Sequence, residues 1–174
     1  MTLVRIFNIV IAGLLLVTAG CDPEPSLDKA KFAELRSASQ DLMAALRSGG
    51  QCAAPAAVVD RLAAGATALQ GKAVSKAERD LLFAYEGLVV MSRDALHLCR
   101  SRGHLTSFQF VPKGRIYVSQ DLDAVVERYD LATESHVYKA TGARWRSIST
   151  DSMEVIWKKA EALIKNIEVM LTYS

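Results

Sequence analysis

The residues able to do chemistry in this chain are few and scattered. In "HLCRSRGH", His97 to His104, Cys99 sits between two histidines, the nitrogen and sulfur donor types that zinc takes. His97 and Cys99 are two apart, however, so on a helix they do not share a face. No second cysteine pair stands nearby to complete a tetrahedral set. Neither a metal nor a cofactor is expected. Glu86 in "FAYEGL" and His136 are the candidates for acid–base work, which needs a concave site and a second group within hydrogen-bond reach. Glu86 falls on the polar side of a helical pattern, and His136 stands alone. The chain has no Gly-rich phosphate loop, no pair of histidines one turn apart, no haem-attachment motif and no nucleophile elbow. A protein without enzymatic activity is the expectation.

Two stretches suit binding better than reaction. "FQFVPKGRIYV", Phe108 to Val118, alternates apolar residues around a Pro-Lys-Gly turn and loads a connector with Phe108, Phe110, Ile116 and Tyr117. "YKATGARWRSIST", Tyr138 to Thr150, brackets Trp145 with Lys139, Arg144 and Arg146. That mixture suits phosphates, lipid headgroups, glycans or an acidic partner. Phe108, Phe110, Tyr117, Lys139, Arg144, Trp145 and Arg146 are therefore the candidate partner-binding residues.

The elements that must position them read as five amphipathic segments. In the first, Phe32, Leu35, Leu42 and Leu46 recur at helical spacing, with Ser26 as N-cap and Gly49-Gly50 as terminator. The second runs from Pro55 to Gln70, with Val58, Leu62, Ala66 and Leu69 on one side and Gly71 closing it. "SKAE", Ser75 to Glu78, is a capping box that starts the third. Its stripe is Leu81, Tyr85, Leu88, Ser92, Ala95 and Cys99, and it should stop at Gly103. A fourth helix is expected over Gln120 to Lys139, with Leu122, Val126, Tyr129, Thr133 and Val137 on its inner face. A fifth covers Ser152 to Leu171, with Ile156, Ala160, Leu163, Ile167 and Met170 beside Trp157. The predicted fold is all-α: an antiparallel bundle of four to five helices, with a small β-hairpin or extended loop at about 106–118. No repeat at 20 to 50 residues points to a solenoid.

The amino terminus supplies an address. Arg5 precedes an uncharged run from Ile6 to Gly20, which as a helix reaches about 22 Å and falls short of the roughly 30 Å hydrocarbon core. A basic start, an apolar middle and the small residues Ala19 and Gly20 before Cys21 make a signal peptide of residues 1–20. The stretch "LLLVTAGC" resembles the lipobox of bacterial lipoproteins, departing from it at Thr18, where leucine is usual. The resemblance implies diacylglycerol on the Cys21 thiol, cleavage on its amino side, and a membrane anchor in the bacterial cell envelope with the domain facing the periplasm or exterior. Asp22 is similar to an inner-membrane retention signal of enteric lipoproteins; Pro23 is not its usual companion, and the choice of membrane stays open. Pro23, Glu24 and Pro25 extend the chain as a tether, so residues 21–25 are anchor and spacer and 26–174 a single helical domain.

With Cys21 consumed by lipid, Cys52 and Cys99 remain as a pair in an oxidising compartment, and one disulfide follows. Removal of the signal leaves 20 of the 21 basic residues against 19 acidic ones. A near-neutral domain argues against nucleic-acid binding and against a polybasic membrane patch. The functional expectation is a lipid-anchored envelope protein acting as a non-enzymatic interaction or assembly module for another envelope protein. Small helical pilotin lipoproteins are loosely similar in size and layout, although no motif makes a family match. The alternative is a binder of a small ligand (lipid, haem or metal) held near Tyr85, Tyr129 or Trp157. A minor alternative is an envelope hydrolase with its cleft at Glu86 or His136.

Overall fold

A computed structural model describes residues 26–49, 52–104 and 111–173. The signal, Cys21 and the tether lie outside these residues, as do Phe108 and Phe110. A 3-10 turn, Lys29–Phe32, runs straight into α1, Ala33–Arg47. Helices α2, Ala53–Leu69, and α3, Lys76–His104, follow. Strand β1, Arg115–Tyr117, leads through a second 3-10 turn, Gln120–Leu122, to the short α4, Asp123–Tyr129. Strands β2, Thr133–Val137, and β3, Arg144–Ser149, precede the last helix, α5, Ser152–Tyr173. The molecule is mostly helical, with one three-stranded antiparallel sheet in the order β1-β3-β2.

Helix starts show why these segments form where they do. Asp28, not Ser26, caps the first: its carboxylate accepts from Ala30 N at 3.1 Å, and the cap backbone is extended. At α3 the capping box closes in both directions. Glu78 N donates to Ser75 Oγ at 3.1 Å, and Ser75 N donates back to the Glu78 carboxylate at 3.4 Å. The α3 stripe from Leu81 to Cys99 is buried throughout, and α5 covers it with Ile156, Ala160, Ile164 and Ile167. The two run antiparallel, since Cys99 touches Met153 while Gly87 lies 3.7 Å, by an added Cβ, from Leu163. A disulfide joins Cys52, at the start of α2, to Cys99 near the end of α3, with the Cα atoms 5.7 Å apart. Helices α1 and α2 pack closely at Gly65, where a Cβ would stand only 2.8 Å from Leu35 Cδ2.

The second half departs from the all-α expectation. The predicted fourth helix, Gln120 to Lys139, ends at Tyr129. Asp130 takes a left-handed conformation (φ 51°), Asp130 N donates to Glu127 O, and Leu131 N donates to Val126 O at 3.0 Å. That is a Schellman stop, and buried Leu131 supplies its apolar contact. Helical periodicity continued through Thr133 and Val137, but both are exposed in strand β2. The connector expected at Tyr138 to Thr150 is the turn and strand β3. Strand β1 does follow a Pro-Lys-Gly turn, with Arg115 N donating to Pro112 O and Gly114 at φ 80°. It pairs with β3, though, and not back across that turn: Ile116 faces Ile148 and Tyr117 faces Ser147. The ladder places Ile116 and Ile148, both fully buried, over the helices.

Candidate functional site

Strands β2 and β3 form a hairpin whose loop, 138–143, is closed by Tyr138 N to Ala143 O and Gly142 N to Tyr138 O, both 2.8 Å. Gly142, at φ 71°, supplies the left-handed residue the loop requires. Register pairs His136 with Trp145, Ser135 with Arg146 and Val137 with Arg144. Side chains alternate along a strand, so Trp145 and Ser147 point to the face opposite Arg144, Arg146 and Ile148. The arginines therefore do not flank the indole on one surface. They occupy the other side of the same protruding strand.

On the outer face the indole of Trp145 stacks on the His136 ring, with centroids 4.1 Å apart and planes 20° off parallel, and the Tyr117 ring approaches it at 5.9 Å. Beneath them Ser147 is fully buried. Its hydroxyl accepts from Arg115 Nε at 3.0 Å and meets His136 Nε2 at 2.8 Å, while Arg115 also pairs with Glu134 at 2.8 Å. A serine hydroxyl touching an imidazole is half of a nucleophile arrangement. Here the carboxylate that could orient the imidazole is engaged by Arg115, and the hydroxyl lies under side chains. The set locks three strands together.

On the opposite face Arg146 pairs with Asp123 of α4 at 2.5 Å. Arg144 is exposed and has no ion-pair partner among the described residues. Between the hairpin and the start of α4 runs a groove of about 530 Å³, lined among others by Tyr117, Gln120, Asp123, His136, Arg144 and Trp145. Four candidates from two separate stretches, Tyr117, Arg144, Trp145 and Arg146, thus meet at one groove. Lys139 stands apart in the exposed hairpin loop. His136, read from sequence as an isolated base, belongs to this surface. Thr133 to Val137, with a β-branched residue at each end, precedes a Gly-containing loop and a strand that carries Trp145, and that was the signal that would have found it.

The other candidates have ordinary partners. His97 Nε2 lies 2.8 Å from Asp121, whose carboxylate is held below its usual range first by the Ser119 hydroxyl and then by His97. Cys99 is in the disulfide, and the side chain of His104 lies outside the described residues. Among the described residues no cluster of metal-ligating side chains forms. Glu86 accepts from Gln70 Nε2 at 3.1 Å and ties α3 to the end of α2. The Tyr129 hydroxyl donates to Asp94 at 2.8 Å; burial, with that carboxylate second, raises its pKa well above 10. Tyr85 is pushed up to about 12, chiefly by burial. Among the described residues Trp157 Nε1 finds no hydrogen-bond partner, and neither Tyr85 nor Trp157 lines the groove.

No helix of the described residues is long and apolar enough to cross a membrane. Comparison of the chain with protein-family models, with curated proteins and with solved structures finds no match.

Proposed function

We propose that this protein is a lipid-anchored component of the bacterial cell envelope that acts as a non-enzymatic docking module. In this reading Cys21 carries the anchor and the helices form an antiparallel bundle. The β2–β3 hairpin, with the groove beside it, engages another envelope protein. One observation carries it: Tyr117, Arg144, Trp145 and Arg146 come from stretches about 30 residues apart and converge on the groove between the hairpin and α4. That surface is also remote from the start of the domain. Asp28 N and Lys31 Nζ bind Glu78, in the first turn of α3, whereas the sheet region is tied to α3 at Asp94 and His97. A helix rising 1.5 Å per residue puts about 28 Å between Glu78 and His97. A module anchored at one end and docking at the other needs that separation.

The partner this surface suits presents acidic groups for Arg144 and flat apolar or aromatic groups for the Trp145 edge. The test is crosslinking of the full-length protein in its own envelope, comparing the wild type with Arg144→Glu. Among the described residues Arg144 makes no ion pair, so its reversal leaves the fold intact. A protein recovered near equal stoichiometry with the wild type and lost in the variant supports the docking reading. Recovery of no protein from either sample overturns it and turns attention to extracted small ligands.

A further inference from the structure

The end of the domain from which the chain leaves toward Cys21 carries an unusual set of exposed apolar side chains. Val74 is 58% exposed, Phe83 76% and Tyr173 85%. Val74 is not there through slackness. Its N–H donates to Glu78 at 2.7 Å and its carbonyl accepts from the Arg79 guanidinium, so the backbone is held at both polar groups while the side chain faces solvent. Tyr173 reaches the same level by helix geometry. It stands ten residues beyond Leu163, which lies opposite Gly87, and α3 begins at Lys76, eleven residues before Gly87. Antiparallel helices with a common rise of about 15 Å over that stretch bring Tyr173 level with the first turn of α3. Phe83 lies seven residues after Lys76, on the same flank of that helix. Around these sit the exposed lysines Lys29 and Lys72, and Lys76, which pairs with Asp80 at 2.8 Å.

We infer that this end is a second, non-covalent membrane contact: Val74, Phe83 and Tyr173 enter the headgroup boundary of an anionic bilayer, with the neighbouring lysines on lipid phosphates. The inference rests on the lipid-anchor reading of Cys21. The length of chain outside the structure selects the occupant. From Cys21 to Ser26 are five residue steps, which fully extended span at most about 17 Å. A thioether-anchored Cys21 therefore keeps Leu27, and with it the Glu78 end of α3, within about 20 Å of the headgroups. Asp28 N reaches Glu78 directly, so no flexible stretch separates tether from patch. Tyrosine at headgroup level and apolar side chains about 5–10 Å deep match the chemistry of that layer, and the lysines complement its charge. Such a contact fixes the tilt of the domain and presents the hairpin away from the membrane.

The test uses the full-chain lipoprotein extracted from membranes and reconstituted in phosphatidylglycerol–phosphatidylethanolamine vesicles, with the acylation state of Cys21 read from intact mass. Phe83→Trp and Tyr173→Trp serve as probes, Val137→Trp on the hairpin as the distant control, and the wild type as blank. All three positions are exposed, so the fold tolerates them. The expected result is blue-shifted emission from the first two probes, quenched more by lipids brominated near the headgroup than at the chain ends, with the Val137→Trp probe unaffected. Unquenched probes on a protein whose Cys21 is acylated overturn the inference and leave the anchor standing. A blue shift without bromine quenching identifies a second copy of the chain on the patch, and overturns it too. An unmodified Cys21 removes the anchor reading first, and this inference with it.

Discussion

Glu78 is the residue whose replacement tests the physical account most directly. It is buried, yet ionised, because four donors surround its carboxylate: Val74 N at 2.7 Å, Lys31 Nζ at 2.8 Å, and Ser75 N and Asp28 N at 3.4 Å. The lysine hydrogen bond first, then the Val74 amide, hold its pKa at about 2 against an ordinary 4.5. That difference corresponds to about 3 kcal/mol of stability, and solvent at the one-third exposed Lys31 side chain reduces it to about 2–3 kcal/mol. Because the folded pKa is depressed, the stabilisation is complete above 4.5 and is lost as pH falls from there through about 2. Glu78→Gln keeps the shape and removes the charge. Urea melts of the wild type and Glu78→Gln at neutral pH should differ by about 2–3 kcal/mol, a melting-temperature gap of roughly 5–10 °C for a chain of this size. Repeating the melts down to about pH 2.5 should shrink the gap to about 1 kcal/mol or less, because the unfolded chain binds the proton below 4.5 while the folded carboxylate holds out to about 2. Equal stability at neutral pH, or a gap that stays constant on acidification, would refute the assignment of Glu78 as an ionised clamp between the N-terminal turn and α3.

Further outcomes follow from other particulars. Reducing the Cys52–Cys99 bond, which spans 47 residues, should cost about 4 kcal/mol by loop closure, read as a lower denaturant midpoint with reductant; an unchanged midpoint contradicts this. Gly65→Ala gains about 1 kcal/mol of helix propensity but drives a Cβ to 2.8 Å from the buried Leu35 side chain, an overpacking cost of about 1–3 kcal/mol. A net loss is expected in thermal melts, and a stabilised variant would show that α1 and α2 yield freely. Gly142→Val forces a β-branched residue to a φ of 71°. The hairpin loop should weaken, with faster hydrogen exchange across β2 and β3 while α3 and α5 keep their protection. Burial raises the Tyr85 and Tyr129 pKa values, so stability should decline as pH rises past 10, with their phenolate absorbance appearing only as the chain unfolds; early ionisation of all five tyrosines at native signal would contradict it.

The helices were legible where local signals agreed with burial. Ser75 to Glu78 marked the start of α3, whose stripe is buried as expected; on α5 Ile156, Ala160 and Ile167 are buried as expected, while Ile164 and Leu171 take the buried places and Leu163 and Met170 are half-buried. The sheet was misread because its strongest evidence is non-local. Leu122, Val126, Tyr129, Thr133 and Val137 keep helical spacing to the end, and no glycine or proline interrupts them. Asp130 stops the helix by adopting a left-handed backbone that asparagine, aspartate and glycine share, and the Leu131 side chain rewards that stop only once a core exists to receive it. Likewise Arg144, Trp145 and Arg146 announced themselves by type. A strand separates them by face, a fact that depends on secondary structure the spacing did not reveal.

Sequence alone thus determined what is written in short range: the apolar run ending at Cys21 and its resemblance to a lipobox, the prolines that follow it, the capping box and the helical stripes. Tertiary structure alone decided what depends on distant partners. It showed that β1 pairs with β3 across about 30 residues, that His136 joins Trp145 and Tyr117, and that Asp28 and Lys31 complete the shell of Glu78. The reason is physical. Caps, turns and periodicity are satisfied by neighbours along the chain, whereas strand edges, buried charges and aromatic stacks are stabilised by groups whose arrival requires the whole core to form first.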